Sequence, residues 1–272
     1  MTPNADYVMG ISDAEFARLE VQAAYLEPVT RRLISEAGIG SGMRALDIGC
    51  GMGDVAILLA EAVGPSGHVV AIDREERAVE LAAARARRAG YNRIEFVLTS
   101  DEDFVGVGSF DAAIGRYVLF HQADPAAMVR RAASAVRPGG IVAFEEMVVA
   151  AEACAVPPLD LWSRVGKAAY GAVRAGFPSP DAGGQLISLF EDAGLPTPHI
   201  ICECIVGGAE SLIIPWSVMS YETFLPLIDR LGLERANVGE LGSLQDRIVA
   251  AARAARTQFI SNPEACAWVV RP

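Results

Sequence analysis

Three glycines stand where one apolar run ends and a second, helical run begins, in the stretch "ALDIGCGMGDVAILLA" at residues 45–60. A strand that enters a helix through such a turn aims backbone N–H groups at a ligand, and helix N-termini attract negative charge. Gly51, Gly53 and Ala56 satisfy the G-x-G-x-x-G/A spacing of a dinucleotide site, and Asp73 ends the next apolar run where a ribose-binding acid belongs. The glycine spacing alone therefore leaves the ligand open.

Asp47 distinguishes a dinucleotide from a positively charged ligand. It lies two residues before the first glycine, at the point where the strand backbone meets the ligand. A carboxylate there repels a pyrophosphate but suits a ligand that bears an ammonium and a sulfonium. S-adenosylmethionine has both groups, so Asp47 favours it over a dinucleotide.

With Gly49 included, the motif reads D-x-G-x-G-x-G, and "ALDIGCGMGD" resembles the first motif of class I S-adenosylmethionine-dependent methyltransferases. The resemblance extends over residues 40–147, where "FDAAIGRYVLFHQADP" is similar to the fourth-strand motif and "RPGG" to the turn before the fifth strand. It points to the ubiquinone/menaquinone-biosynthesis-like enzymes that methylate small molecules. S-adenosylmethionine as cofactor and S-adenosylhomocysteine as product are what this resemblance implies.

The family's cofactor contacts can be carried over residue by residue. Asp73 matches the acid that holds the ribose hydroxyls, with Arg74 beside the adenine, and Cys50 is expected to contribute its backbone amide. "FVLTSDEDF" departs from the family's usual "GDA", so that Ser100 stands at the acid's place and Asp101 one residue further on. The cofactor-binding residues that the resemblance implies are Tyr7, Gln22, Asp47, Gly49, Cys50, Gly51, Asp73, Arg74, Ser100, Asp101, Glu102 and Arg116.

Methyl transfer from a sulfonium is an in-line displacement on an activated carbon, so alignment and exclusion of water are the main tasks and a general base is optional. His121 is the best candidate for a base because its ordinary pKa lies near neutrality, and Tyr117 is the second catalytic candidate. A packing or loop-ordering role for His121 is an open alternative. No residue pattern indicates a metal site.

Glu145 and Glu146 end the predicted fifth strand, and strand alternation places them on opposite faces. One of them is then available to substrate, while the other is solvated or bonded to the backbone. Candidate substrate-binding residues are Tyr117, Glu146, Trp162, Tyr170 and Trp216. For the aromatic residues, ordinary core packing is at least as good an interpretation, because helical spacing turns large apolar side chains inward.

Short apolar runs alternate with helical segments from Arg44 to Glu146, a pattern typical of βαβ units and a parallel sheet. We predict an α/β fold with a doubly wound, Rossmann-like methyltransferase sheet of about seven strands, the last one antiparallel. The predicted domains are an N-terminal helical lid (residues 1–39), the cofactor-binding core (40–150), and a C-terminal part (151–272) with cap helices and the last helix and strands of the core. The lead-in helix over residues 13–37 is expected to be broken or kinked before Pro28.

The formal net charge of -11 argues against nucleic acid and anionic lipid surfaces as partners. Five cysteines without paired spacing indicate reduced thiols in a cytoplasm, and Cys202 and Cys204 are expected to pack as small apolar residues. No apolar run is long enough to span a bilayer, and no export signal is apparent. The long apolar helices near the C-terminus are compatible with a homodimer interface.

Transfer of a methyl group to oxygen, nitrogen or carbon of a small molecule, with a place in specialised metabolism, is the preferred hypothesis. Three alternatives stay open. The fold can use bound S-adenosylmethionine for a reaction other than methylation, the glycines can hold NAD in an oxidoreductase, or the chain can be a non-catalytic binding module. Binding of NADH would distinguish the oxidoreductase.

Overall fold

The computed structural model describes residues 13–272. Across these residues the α-helices are α1 (Asp13–Glu36), α2 (Asp54–Val63), α3 (Glu76–Arg88), α4 (Pro125–Ala135), α5 (Asp160–Gly176), α6 (Leu186–Asp192), α7 (Ile213–Arg230) and α8 (Leu244–Ala255). The strands are β1 (Arg44–Ile48), β2 (His68–Asp73), β3 (Ile94–Leu98), β4 (Phe110–Arg116), β5 (Val136–Met147), β6 (Cys154–Val156), β7 (His199–Glu203), β8 (Val206–Gly207), β9 (Gln258–Ile260) and β10 (Glu264–Val270). Short 3₁₀ turns cover Leu119–His121, Ala182–Gly184 and Leu241–Ser243.

A seven-stranded sheet with the order β3-β2-β1-β4-β5-β10-β7 forms the centre of the fold. The pairs β1–β2, β2–β3, β1–β4 and β4–β5 are parallel, whereas β10 runs antiparallel to β5. The predicted doubly wound α/β sheet, with its antiparallel last strand, is confirmed. Because β1 to β5 are parallel, their carboxyl ends share one edge, and the order reverses between β1 and β4, where open α/β sheets bind ligands.

The chain divides into two compact units. The core unit comprises residues 27–147, 181–202 and 264–272 and contains the seven-stranded sheet. In it, α2 and α3 pack on β1 to β3, α4 packs on β4 and β5, and α6 packs on α4 and β10. The inner strands β1, β2, β4 and β5 are largely buried on both faces because helices cover the sheet; in β1, for example, residues 45–48 are all buried.

The helical unit comprises residues 148–180 and 203–263, together with residues 13–26 of α1. Here α5 packs on α7, and α7 on α8. Phe177 of the α5 end meets Phe224 of α7 edge to face at 6.0 Å between ring centroids. A small antiparallel sheet, in the order β6-β9-β8, completes the unit. Its strands of two or three residues are too short to leave a periodic signal in the sequence, and they were not predicted.

Three local features differ from the sequence-based expectations. Helix α1 continues through Pro28, so the expected break is wrong, and a kink at this position stays a prediction; buried side chains on both sides of the proline stabilise the helical path. The "RPGG" segment lies within β5 as a bulge, since Phe110 pairs with Val136 and Ala112 with Ile141. Cys202 and Cys204 are exposed, so the expectation that they pack in the core is wrong; they lie on an edge strand and just beyond it.

Among the described residues, we find no helix whose length and apolar character would allow it to span a bilayer.

Candidate functional site

The glycine turn lies at the carboxyl end of β1, within the core unit, and leads into α2. Gly49, Gly51 and Gly53 have φ values of 69°, 49° and 77°, which residues with a Cβ rarely adopt. A Cβ on Gly53 would lie 3.1 Å from the Cβ of Ala82, so α3 packs directly against the turn. At Gly51 no described atom lies within 4 Å of the Cβ position, apart from those of the glycine and its two chain neighbours. The turn is thus packed on one side and open at its middle glycine.

Most backbone amides of this turn already have acceptors inside the protein. The amides of Gly49 and Cys50 both donate to the carbonyl of Ile72 at 2.9 Å. The Gly51 amide donates to Oδ2 of Asp73 at 2.8 Å, and the Gly53 amide to the carbonyl of Cys50 at 2.8 Å. A pyrophosphate at a dinucleotide turn needs such amides as donors, so this arrangement is poorly suited to it.

Asp47 is almost completely buried in β1, with 1% of its surface exposed. Burial raises the pKa of its carboxyl to about 7, while the nearby Arg116 charge and a hydrogen bond from the Ala56 amide of α2 act to lower it. Its Oδ2 has no hydrogen-bond partner among the described residues. A buried carboxylate oxygen without a donor is costly, and a ligand ammonium would supply both the donor and the opposite charge.

Asp73, at the end of β2, ties the glycine turn to the neighbouring strand. Its Oδ2 accepts the Gly51 amide, and its Oδ1 accepts the amide of Glu75 at 3.0 Å. Each carboxylate oxygen keeps further acceptor capacity for a ligand hydroxyl. The guanidinium of Arg74 is largely exposed and lies 4.0 Å from the carboxylate of Glu75.

The loop after β3 carries the three residues predicted at the adenine end of the site. Ser100 donates its hydroxyl to Asp103 at 2.8 Å and accepts the Asp103 amide at 3.1 Å. Asp101 receives hydrogen bonds from Arg131 of α4 at 2.6 Å, whereas the side chain of Glu102 is 71% exposed. Asp101 therefore anchors the loop to α4.

At the end of β4, Arg116 lies directly opposite Glu145 of β5. The Arg116 Nη1 donates to the hydroxyl of Thr30 at 3.0 Å, and that hydroxyl donates to Oε2 of Glu145 at 2.7 Å. Thr30 and Glu145 are both fully buried. The chain of hydrogen bonds fixes Arg116 at the strand end, where its charge acts on Asp47.

Tyr117 follows Arg116 in a left-handed conformation, with φ of 57°. Its hydroxyl lies 2.8 Å from both carboxylate oxygens of Glu264, at the start of β10, and donates to them. His121 ends the following 3₁₀ turn and is half-buried, with its ring 4.1 Å from the ring of Phe120. The phenol of Tyr117 is therefore held by a carboxylate.

Glu146 is fully buried next to Glu145, so the alternative that one of the two glutamates is solvated is wrong. Its Oε1 accepts the amides of Val118 and Leu119 at 2.8 and 2.6 Å. Its Oε2 has no hydrogen-bond partner among residues 13–272. Burial raises the pKa of Glu146 to about 8 in spite of the backbone amides that act to lower it, and the charge of Glu145 adds to the rise.

The other predicted residues lie in the helical unit and have partners there. Gln22 of α1 accepts hydrogen bonds from Arg18 at 2.7 Å and from the indole of Trp216 at 3.3 Å. Trp162 packs on the ring of Phe259 at 4.7 Å. Tyr170, of α5, accepts the Ala153 amide and donates to Asn262, both at 3.1 Å. Tyr7 lies outside the described residues.

Thr30, Val118 and Glu264 also lie at this edge of the sheet. None of the three was predicted from the sequence. A lone glutamate that starts the apolar strand "EACAWVV" was a usable signal for Glu264. Thr30 and Val118 gave none, because a threonine inside a helix and a valine after a strand are unremarkable in type and spacing.

Comparisons with known proteins agree with this geometry. The family model for a methyltransferase domain matches residues 39–177, slightly more than half of the chain. The chain is 35% identical to nocamycin O-methyltransferase of Saccharothrix syringae over 136 residues, which is 50% of this chain and 46% of that protein. It is 33% identical to a ubiquinone biosynthesis O-methyltransferase of Thiobacillus denitrificans over 125 residues, 45% of this chain and 52% of that one.

Among solved structures, a protein from Bacillus halodurans C-125 is similar with a TM-score of 0.59 and 18% identity, covering 89% of this chain and 98% of that one. This likeness concerns the fold alone. The chain spans about half the length of the curated relatives it matches. Since the family model covers the glycine turn, both flanking acids and the ends of β4 and β5, the chain belongs to the methyltransferase-domain family.

Proposed function

We propose that the chain transfers a methyl group from S-adenosylmethionine to an oxygen atom of a small organic molecule. The buried Asp47 carboxylate carries the proposal: one oxygen has no partner among the described residues, and it lies beside a glycine turn in which the amides of Gly49, Cys50, Gly51 and Gly53 already donate to acceptors in the protein. This pairing suits a cationic ligand and disfavours a pyrophosphate. Membership of the methyltransferase-domain family supports the same conclusion.

Three features of the core unit would hold the cofactor. Asp47 would take the ammonium, the open face of Gly51 would let the ligand approach the backbone, and Asp73 would accept the ribose hydroxyls. S-adenosylmethionine supplies a methyl carbon activated by a sulfonium. Arg116, held by Thr30, keeps a positive charge near Asp47 and so favours the ionised carboxylate that an ammonium needs.

An oxygen acceptor is favoured because several relatives are named O-methyltransferases, among them the two compared above. For an acceptor hydroxyl we propose His121 as the proton acceptor. Since the phenol of Tyr117 donates to Glu264, we propose that Tyr117 orders the turn that carries His121.

Contact of Glu146, Trp162, Tyr170 and Trp216 with the acceptor stays a prediction, and their burial and partners support a packing role. A homodimer and a cytoplasmic location stay predictions as well.

Mass-spectrometric detection of S-adenosylhomocysteine tests the proposal. The purified protein is incubated with S-adenosylmethionine and a panel of phenols, enols, carboxylic acids and amines. We expect product with an oxygen acceptor, a loss of about tenfold or more in Asp47→Asn, and wild-type rates in Glu95→Gln, an exposed acid of β3 in the same sheet. Product with amines alone would overturn the oxygen acceptor. Wild-type rates in Asp47→Asn would overturn the role of Asp47.

A further inference from the structure

The turn after β4 is held by buried carboxyl groups of β5, the next strand in the sheet, and of β10, the strand beyond it. Glu146 of β5 accepts the amides of Val118 and Leu119 through a single oxygen, at 2.8 and 2.6 Å. Glu264 of β10 accepts the hydroxyl of Tyr117 at 2.8 Å. Glu146, Glu264 and Leu119 are fully buried, so bulk solvent does not compete for these bonds.

The side chain of Val118 connects this turn to the glycine turn. A Cβ on Gly49 would lie only 2.5 Å from Cγ1 of Val118, and a Cβ on Gly115 only 2.7 Å from its Cγ2. The isopropyl group therefore occupies a notch that two glycines leave open, and it contacts the backbone of Gly49 directly. Movement of Val118 would change the space available to the first glycine of the turn.

We propose that Glu146 is a positioning residue for the glycine turn: it fixes Val118 through the backbone amides of the β4 turn, and Val118 fixes Gly49. Glu146 lies one strand away from β4 and two from β1, where the glycine turn begins. It acts on ligand binding through Val118 and not by touching the ligand. This inference rests on the proposed function in one respect, namely that S-adenosylmethionine is the ligand that binds at the glycine turn.

The chemistry of Glu146 suggests a conservative replacement. Burial favours its neutral form, in which a carbonyl oxygen accepts the two amides. A glutamine has the same shape and a carbonyl oxygen in the same place, so Glu146→Gln keeps both bonds. Glu146→Leu has a similar volume but no acceptor, and it leaves two buried amides without a partner.

Hydrogen exchange of the protein without ligand tests the coupling directly. In Glu146→Leu we expect exchange at least about tenfold faster in the peptides that cover residues 117–122 and 49–56, and unchanged exchange in β10. Glu146→Gln should match the wild type in all three. Faster exchange in 117–122 alone would overturn the proposal, as would an equal increase throughout the chain.

Calorimetric titration with S-adenosylhomocysteine tests the consequence for binding. We expect Glu146→Leu to bind about tenfold more weakly and Glu146→Gln to bind like the wild type. Val118→Ala should also weaken binding. The double variant Val118→Ala/Glu146→Leu should have the same affinity as the single variant that binds less tightly, because both changes interrupt the same contact between Glu146 and Gly49 through Val118. Additive losses, or wild-type affinity in Val118→Ala, would overturn the proposal.

The two proposals can fail separately. If the wild type does not bind S-adenosylhomocysteine, the proposed function fails, and the exchange experiment still decides whether Glu146 positions the glycine turn. If Glu146→Leu does not fold, Val118→Ala carries the test, since it removes the Cγ1 atom that contacts Gly49 without changing the buried acid.

Discussion

Replacing Glu146 with glutamine removes an ionisable group that the fold buries completely. Burial raises the pKa of Glu146 from the ordinary 4.5 to about 8. Between these two values the unfolded chain has lost the proton and the folded chain keeps it, so the free energy of unfolding falls as pH rises, by about 1.4 kcal/mol per pH unit. The stabilising contribution is fully present below pH 4.5 and is lost as pH rises through about 8. From about pH 5 to about pH 8 the wild type should lose about 3 kcal/mol through this group.

Urea unfolding at several pH values between these limits measures this difference. Glu146→Gln has no proton to lose, so its free energy of unfolding should depend less on pH, and the gap between variant and wild type should widen by about 3 kcal/mol toward high pH. Asp47 also titrates in this range, but it is present in both proteins and cancels in the comparison. A constant gap across the pH range would refute the account of Glu146 as a buried, largely neutral acid.

Three further outcomes follow from the structure. Burial raises the pKa of Asp47 to about 7, and a ligand ammonium favours the ionised form of this carboxyl. The affinity for S-adenosylhomocysteine should therefore fall by up to about tenfold per pH unit below pH 7. Calorimetry from about pH 5.5 to 8 measures the affinity, and a flat profile would contradict this expectation. Gly53→Ala should destabilise the protein by about 1–2 kcal/mol in urea unfolding, because φ is 77° and the new Cβ would lie 3.2 Å from the ring of Phe96; an unchanged midpoint would show that the turn adapts. Tyr117→Phe removes the hydroxyl that donates a hydrogen bond to Glu264. The free energy of unfolding in urea should fall by about 1–3 kcal/mol. Equal stability of variant and wild type would mean that this hydrogen bond adds nothing to the stability of the fold.

The sequence predicted the central sheet because the parallel strands leave a strong signal. Apolar runs covered on both faces alternate with helical segments from β1 to β5, and three glycines mark the turn where a ligand approaches. Asp47 was recognisable as a charged residue inside an apolar strand. Such a residue has few uses in a core except to meet a ligand or a partner of opposite charge.

The contacts that order the site could not be predicted, because they join segments far apart in the chain. Thr30 meets Glu145 and Arg116 only once α1 lies against the ends of β4 and β5. The notch for Val118 depends on glycines in two different strand ends, and neither glycine indicates which side chain fills it. Sequence alternation placed Glu145 and Glu146 on opposite faces, but it could not show that both faces are buried there.

The small sheet and the exposed cysteines were missed for a related reason. Strands β6, β8 and β9 have two or three residues each, and their pairing comes from tertiary contacts and not from local preference. For Cys202 and Cys204, burial was expected because a free cysteine behaves as a small apolar residue, but Cys202 lies on an edge strand and Cys204 just beyond it, and both are exposed.

Parallel calorimetric titrations with S-adenosylhomocysteine and with NADH show which ligand the glycine turn binds. They are carried out on the wild type and on Asp47→Asn, with Glu95→Gln as the control. We expect micromolar-range binding of S-adenosylhomocysteine by the wild type and the control, binding at least about tenfold weaker in Asp47→Asn, and no binding of NADH. Binding of NADH but not of S-adenosylhomocysteine would mean instead that the glycine turn binds a pyrophosphate, despite the bonded amides of the turn and the buried carboxylate beside it.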